Sequence, residues 1–135
     1  MKLVVDTNII IAALIKDSAC RHLLTHLNAE LISIRFSGKE VQKYKKRIVK
    51  KTGMSDDDFD VLVEKLFEKI TMLNDQLVEL YMQQARKIME KIDRGDTPFI
   101  AAALATKADI WSDDMHFEKQ TRIKVWKTKD LIPFF

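Results

Sequence analysis

The sequence has a single cysteine, Cys20, so no disulfide can close within the chain, and neither a zinc knuckle nor an extracellular cysteine framework can be built. A reducing, cytoplasmic setting is the expected one. Glycine (3) and proline (2) are scarce, which excludes collagen-like and low-complexity chains and favours helix. The longest apolar stretches, such as residues 9–15, fall far short of the roughly 20 residues that span a bilayer, so no membrane segment is expected. Asp6, Thr7 and Asn8 also interrupt the one stretch that resembles a signal peptide, and secretion is not expected. There is no glycine-rich phosphate loop with a Lys-Ser/Thr ending, so use of a nucleoside triphosphate is not supported. Nor is there a large excess of one charge: 23 Lys and Arg against 20 Asp and Glu leave +3, too little to mark a nucleic-acid binder by the sum alone.

What remains is 47% apolar and 32% charged, enough to bury a core, in a length that fits one domain over residues 1–135. The β-branched run 3–5 ends at Asp6, and residues 9–15 follow as a helix apolar on nearly every side, the pattern of a strand and helix inside a sheet protein. Leu23, Leu24 and Leu27 carry a second helix and residues 31–34 a second strand. Residues 37–51 read as one helix opened by a Ser37/Glu40 capping box and ended by Gly53. Residues 55–70 and 75–92 read as two amphipathic helices forming a hairpin. After Gly95, Asp96 and Pro98 open an alanine-rich helix over 99–106, followed by short strands at 108–111 and 123–126 and a closing turn and tail from 128 to 135. Strands alternating with helices give an α/β fold of three layers, α/β/α, around a mostly parallel sheet.

In such folds functional side chains gather where strands end and helices begin. Four acids stand at junctions of that kind: Asp6, Glu40, Asp96 and Asp114. If the parallel strands bring those junctions together, the carboxylates repel one another unless cations offset them, and hard oxygen donors suit Mg²⁺ or Mn²⁺. A divalent ion so held activates a water and stabilises charge developing on a phosphodiester.

Asp6-Thr7-Asn8 after an apolar strand, Glu40 in Gly38-Lys39-Glu40-Val41, the run Asp96-Thr97-Pro98-Phe99-Ile100-Ala101, and Ser112-Asp113-Asp114-Met115-His116-Phe117 together resemble the PIN-domain family, which includes the VapC-type toxins of prokaryotic toxin–antitoxin pairs. Each motif alone is weak; their order from residue 1 to about residue 126 is the stronger signal. The resemblance implies a metal-dependent endoribonuclease with Asp6, Glu40, Asp96 and Asp114 as its acidic residues and Asp6, Asp96 and Asp114 as metal ligands. It also implies that Thr7, Asn8 and Ser112 position those carboxylates. Asp93 and Asp113, beside two of the acids, are expected to brace the ligands rather than touch metal. Family members often carry a further acid two places after the last aspartate, where this chain has His116.

Each acid also has a purely structural use. Asp6 and Asp96 stand where helix N-caps belong, Glu40 completes a capping box, and Asp114 lies in a polar turn. His22 and His26, four apart, have a spacing that zinc sites use but lack further ligands, and His116 reads as a loop surface residue. Cys20, Trp111, Trp126 and Phe117 read as core.

Between residues 39 and 51, seven of thirteen residues are basic, beginning beside Glu40. A charge run is ordinarily a solvated face. Next to a metal site, Lys39, Lys43, Lys46, Arg47 and Lys50 are expected to hold an RNA backbone, with Lys119, Arg122, Lys124 and Lys127 extending the track. The partners implied are RNA, a small antitoxin protein and a second copy of the chain in a homodimer. The competing reading is a non-catalytic PIN-like module for nucleic-acid binding or assembly. A phosphohydrolase of the haloacid-dehalogenase type is disfavoured, because Asn8 stands where that family places its second aspartate.

Overall fold

The computed structural model describes residues 1–134. In chain order it contains β1 (Lys2–Val5), α1 (Thr7–Ile15), α2 (Ala19–His26), β2 (Glu30–Ile34), α3 (Arg35–Lys43), α4 (Lys45–Thr52), α5 (Asp56–Glu68), β3 (Ile70–Leu73), α6 (Asp75–Leu80), α7 (Met82–Met89), α8 (Thr97–Thr106), β4 (Asp109–Trp111), β5 (Val125–Trp126) and α9 (Thr128–Leu131). Single 3-10 turns lie at Arg94–Asp96, Met115–Lys119 and Ile132–Phe134. The strands form one sheet in the order β3-β2-β1-β4-β5, every neighbouring pair parallel.

Alternation along the strands divides the core in two. Leu3, Val5, Leu31 and Trp111 face α1, α2, α4 and α5, while Val4, Ile32, Ile34 and Ile110 face α6, α7 and α8. Both faces of the three central strands are therefore covered, which is why their sequences read as continuous apolar runs. The three-layer α/β architecture expected from the sequence is the one found. No helix among the described residues is long and apolar enough to cross a membrane.

The hairpin expected of residues 55–92 does not form. The edge strand β3 intervenes and pairs with β2 from Leu31↔Ile70 to Ile34↔Leu73. A parallel neighbour requires a crossover, so α5 lies on one face of the sheet while α6 and α7 lie on the other. The strand was hidden because Ile70 falls in phase with Phe59, Leu66 and Phe67 of α5, and only Ile70 of the four strand residues is buried.

The helix expected over 37–51 starts at Arg35 and breaks at Tyr44, and the one expected over 75–92 breaks at Tyr81. Ser37 is not an N-cap: its hydroxyl donates to the Ile34 carbonyl at 2.7 Å, which leaves Glu40 free to point elsewhere. Beyond Leu131 the expected turn and tail is a further 3-10 turn, and Phe135 lies outside the described residues.

Lys107 ends α8 with φ 55°, ψ 40°, the left-handed conformation that normally goes to glycine. Lys107→Gly is expected to stabilise the fold by about 1 kcal/mol, read from the midpoint of urea unfolding at unchanged slope.

Candidate active site

β1 and β4 are neighbours at the centre of the sheet, and their carboxyl ends bring two loops together. Asp6 leaves β1 with its N–H donated to the Trp111 carbonyl at 3.1 Å, and Ser112 leaves β4 directly opposite. Asp6 holds the N-cap position of α1, yet its carboxylate is used across the sheet: Oδ2 accepts from the Ser112 hydroxyl at 2.8 Å. The same Ser112 oxygen accepts from the Asp114 N–H at 3.0 Å, so one buried serine sets both acids. From the other flank, α3 begins immediately after β2 and carries Glu40 inward, where Oε1 accepts from the buried Thr7 hydroxyl at 2.7 Å. On the far side the 3-10 turn Arg94–Asp96 precedes α8, and Asp96 makes no capping hydrogen bond; Asp93 caps the turn through the Gly95 N–H at 2.8 Å.

These elements surround a cleft of about 270 Å³ lined by Asp6, Asn8, Glu40, Asp93, Asp96 and Asp114, among others. All four acids singled out by the motifs thus reach one place. Thr7 and Ser112 brace them. Asp113 does not: its carboxylate accepts from the Thr128 N–H (2.8 Å) and hydroxyl (2.6 Å) and ties α9 to the sheet edge.

His116 is the residue the sequence misplaced. Its Nδ1 lies 3.1 Å from Asp93 Oδ2, 3.4 Å from Asp114 Oδ1 and 3.8 Å from Asp96 Oδ2, an imidazole set among three carboxylates. Ligand atoms of Asp93, Asp96 and His116 lie within 4.8 Å of one another, the spacing of a metal-binding group. Asp93 thus lies in one cluster with Asp96 and His116. The signal was available in the spacing: the Met115–Lys119 turn starts at Asp114, whose carboxylate accepts from the His116 N–H at 2.9 Å and folds the ring back over the acids. Among the described residues the Asp93, Asp96 and His116 group alone has this spacing, and His22 lies 3.3 Å from Asp17.

Two buried polar atoms among the described residues have no hydrogen-bond partner, Asp96 Oδ2 and His116 Nδ1, and both lie in this cluster. Buried polar atoms are paired in folded proteins unless a water or ion completes them. Burial, with Asp93, Asp6 and Asp114 nearby, raises the Asp96 carboxyl to about 7, against a smaller pull downward from His116. Burial is also the main cause for Asp6, raised to about 6; the Ser112 hydroxyl and the Asn8 N–H oppose it, and Asp114 and Glu40 add to it. A set of hard oxygen donors carrying excess negative charge, with an orphaned carboxylate oxygen, fits a divalent cation.

Ser112→Ala removes the one side-chain hydrogen bond that restrains Asp6 among the described residues. The Asp6 carboxyl is then expected to titrate above about 6 by carbon-detected NMR, and affinity for Mn²⁺ to fall about 10–100-fold, as for other lost supports of metal ligands.

The basic run 39–51 does not act as one face. Arg47 and Lys51 line a hollow of about 300 Å³ together with the cleft residues Asn8 and Glu40. Lys45 turns to α5 and pairs with Asp60 at 2.9 Å, and Lys39 lines a separate hollow beside β3. Lys124 lies over the Trp126 ring at 4.0 Å and Lys127 pairs with Glu118 at 3.3 Å, so both are already engaged. Trp111 and Phe117 are fully buried as expected, Trp126 only partly.

A family model described as PIN domain matches residues 4–132. The chain belongs to the PIN-domain family. Its fold is similar to that in the crystal structure of VapBC2 from Rickettsia felis bound to a DNA fragment from their promoter (TM-score 0.72, 15% identity, covering 94% of this chain and 98% of that one). It is likewise similar to VapBC-1 from nontypeable Haemophilus influenzae (TM-score 0.69, 19% identity, covering 96% and 99%). No curated protein matches the sequence.

Proposed function

We propose that this PIN-domain chain is a Mg²⁺- or Mn²⁺-dependent endoribonuclease, the toxin of a toxin–antitoxin pair. One observation carries the reading: two buried side-chain atoms without a hydrogen bond among the described residues, Asp96 Oδ2 and His116 Nδ1, sit 3.8 Å apart beside a cleft that also holds Asp6, Glu40, Asp93 and Asp114. A cleft so composed is costly to fold around unless it serves a cation.

Asp6, Asp96 and Asp114 would hold the ion, with Asp93 and His116 beside them. When bound it supplies an activated water and stabilises the charge that develops on a phosphodiester. Ser112 fixes Asp6 and Asp114 in one hydrogen-bonded unit, and Thr7 holds Glu40 toward the cleft, so the donors are oriented before anything binds. Near neutral pH Asp6 and Asp96 shed their remaining protons as cation binds, which makes affinity rise with pH. Glu40 lines both the acidic cleft and the basic hollow, and in this reading it completes or orients the metal shell.

The partners in this reading are RNA, a small antitoxin and a second copy of the chain in a homodimer, acting in the cytoplasm. Support for an antitoxin comes from the fold's likeness to the two VapBC structures.

The test is multiple turnover on a mixed panel of single-stranded RNAs, with Mn²⁺, with Mg²⁺ and with chelator. The expected result is cleavage of several RNA molecules per chain, stopped by chelator and restored by Mn²⁺. Stoichiometric RNA binding without cleavage under every condition would favour the non-catalytic module instead.

A further inference from the structure

The acidic cleft does not end at Glu40. Asn8 and Glu40 line it on one side and, on the other, line the hollow of about 300 Å³ between α1 and the α3–α4 junction. The two concavities share a wall made by Asn8 and Glu40.

The hollow has the composition of a nucleotide site. Tyr44 stands where α3 breaks into α4, with φ −94° and ψ 6°; its half-buried side chain packs against the core and lines the groove. Lys43 Nζ lies 5.7 Å and the Arg47 guanidinium 5.9 Å from the ring centroid, near the outer limit of cation–π contact and therefore easily displaced. Arg47 and Lys51, one helical turn apart, line the same hollow, and among the described residues neither is in an ion pair. The Tyr44 hydroxyl makes no hydrogen bond among the described residues. Apolar side chains, Ile48 among them, complete the lining.

We infer that the groove of Tyr44, Arg47 and Lys51 is a nucleotide subsite for single-stranded RNA, holding the nucleotide next to the one cleaved, with its base on the Tyr44 ring and its phosphate on the two cations. The inference rests on the ribonuclease reading and adds to it a residue type, an aromatic platform, that a basic run alone does not supply. Stacking on an aromatic ring is indifferent to base identity, and phosphate contacts carry no sequence information, so this subsite strengthens binding without choosing the target. The other lysines of the run, Lys39, Lys43, Lys45, Lys46 and Lys50, do not line the groove and contribute only to the general field around it.

The experiment is steady-state cleavage of a mixed-sequence pool of single-stranded hexaribonucleotides in Mn²⁺, at several salt concentrations, by the native chain, the Arg47→Gln/Lys51→Gln double variant, Tyr44→Leu and Tyr44→Phe. The double variant replaces exposed side chains that the fold does not need. It is expected to raise KM about tenfold with kcat within about twofold, and to flatten the dependence of log kcat/KM on log salt by about 0.7, the value for one lost phosphate contact. Tyr44→Leu is expected to raise KM about tenfold as well, and Tyr44→Phe to keep the native KM, because stacking needs the ring and not the hydroxyl. A double variant with native KM and native salt slope overturns the subsite while leaving the ribonuclease intact. A native chain that cleaves none of the pool overturns both.

Discussion

Asp96→Asn is expected to slow RNA cleavage by more than about 100-fold and, in the absence of metal, to make the fold more stable rather than less. The first effect follows from position. Asp96 shares its cluster with Asp93 and His116, and its Oδ2 is buried without a partner. Losing even an outer support of a metal ligand costs about 10–100-fold, so losing the ligand itself costs more. The second effect follows from charge. Burial and three neighbouring carboxylates hold the Asp96 carboxyl near 7, so above that pH the native chain keeps an anion where it is disfavoured. Asparagine keeps the shape and removes the charge. At pH 8 the gain is on the order of 1 kcal/mol, since Asp96 is not fully shielded from solvent. A destabilised variant would instead show that Asp96 is held by the fold's own hydrogen bonds, contrary to the orphaned oxygen.

The metal-free chain is expected to lose stability as pH rises from about 5 to 8, the opposite of the usual behaviour of salt-bridged acids. Asp6 titrates at about 6 and Asp96 at about 7 in the fold, both above the ordinary value of 3.8. Across that interval the native state therefore binds more protons than the unfolded chain, and stability falls with pH. The contribution is fully present below about pH 4 and gone above the higher of the two values. Together the two groups are expected to move stability by about 2–4 kcal/mol, or the melting temperature by about 10 °C for a chain of this length. Mn²⁺ at pH 8 is expected to restore the loss, because it binds the folded state alone. Thermal melts of chelator-stripped protein at half-unit pH steps read both effects, and a flat profile between pH 5 and 8 would contradict them.

Much of the site was legible because each acid stands at a junction that sequence patterns mark. Asp6 ends an apolar strand, Asp96 precedes a proline-opened helix, and Asp114 follows the Trp111 strand. The parallel sheet then fixes which junctions meet. Glu40 carried two meanings in sequence, and the structure separates them: Ser37 bonds back to Ile34, so no capping box competes for the carboxylate. Side-chain direction is what the sequence does not hold. Asp113 and Asp114 are adjacent residues of one type, yet a tight turn sends one to Thr128 and the other to the cleft. His116 needed the same turn to be seen as part of the cluster. The basic run was visible as charge, but only the break at Tyr44 decides that Arg47 and Lys51 face the cleft's neighbouring groove while Lys45 faces Asp60. β3 was lost because a four-residue edge strand with one buried side chain gives no period of its own.

The most direct measurement is calorimetric titration of Mn²⁺ into chelator-stripped native chain and into Asp96→Asn at pH 7.5. The native chain is expected to show a saturable site whose binding releases protons, and the variant to show no saturable heat in the same range. An equal Mn²⁺ isotherm in both proteins would contradict a cation site built on Asp96, and with it the metal-dependent chemistry assigned to the cleft.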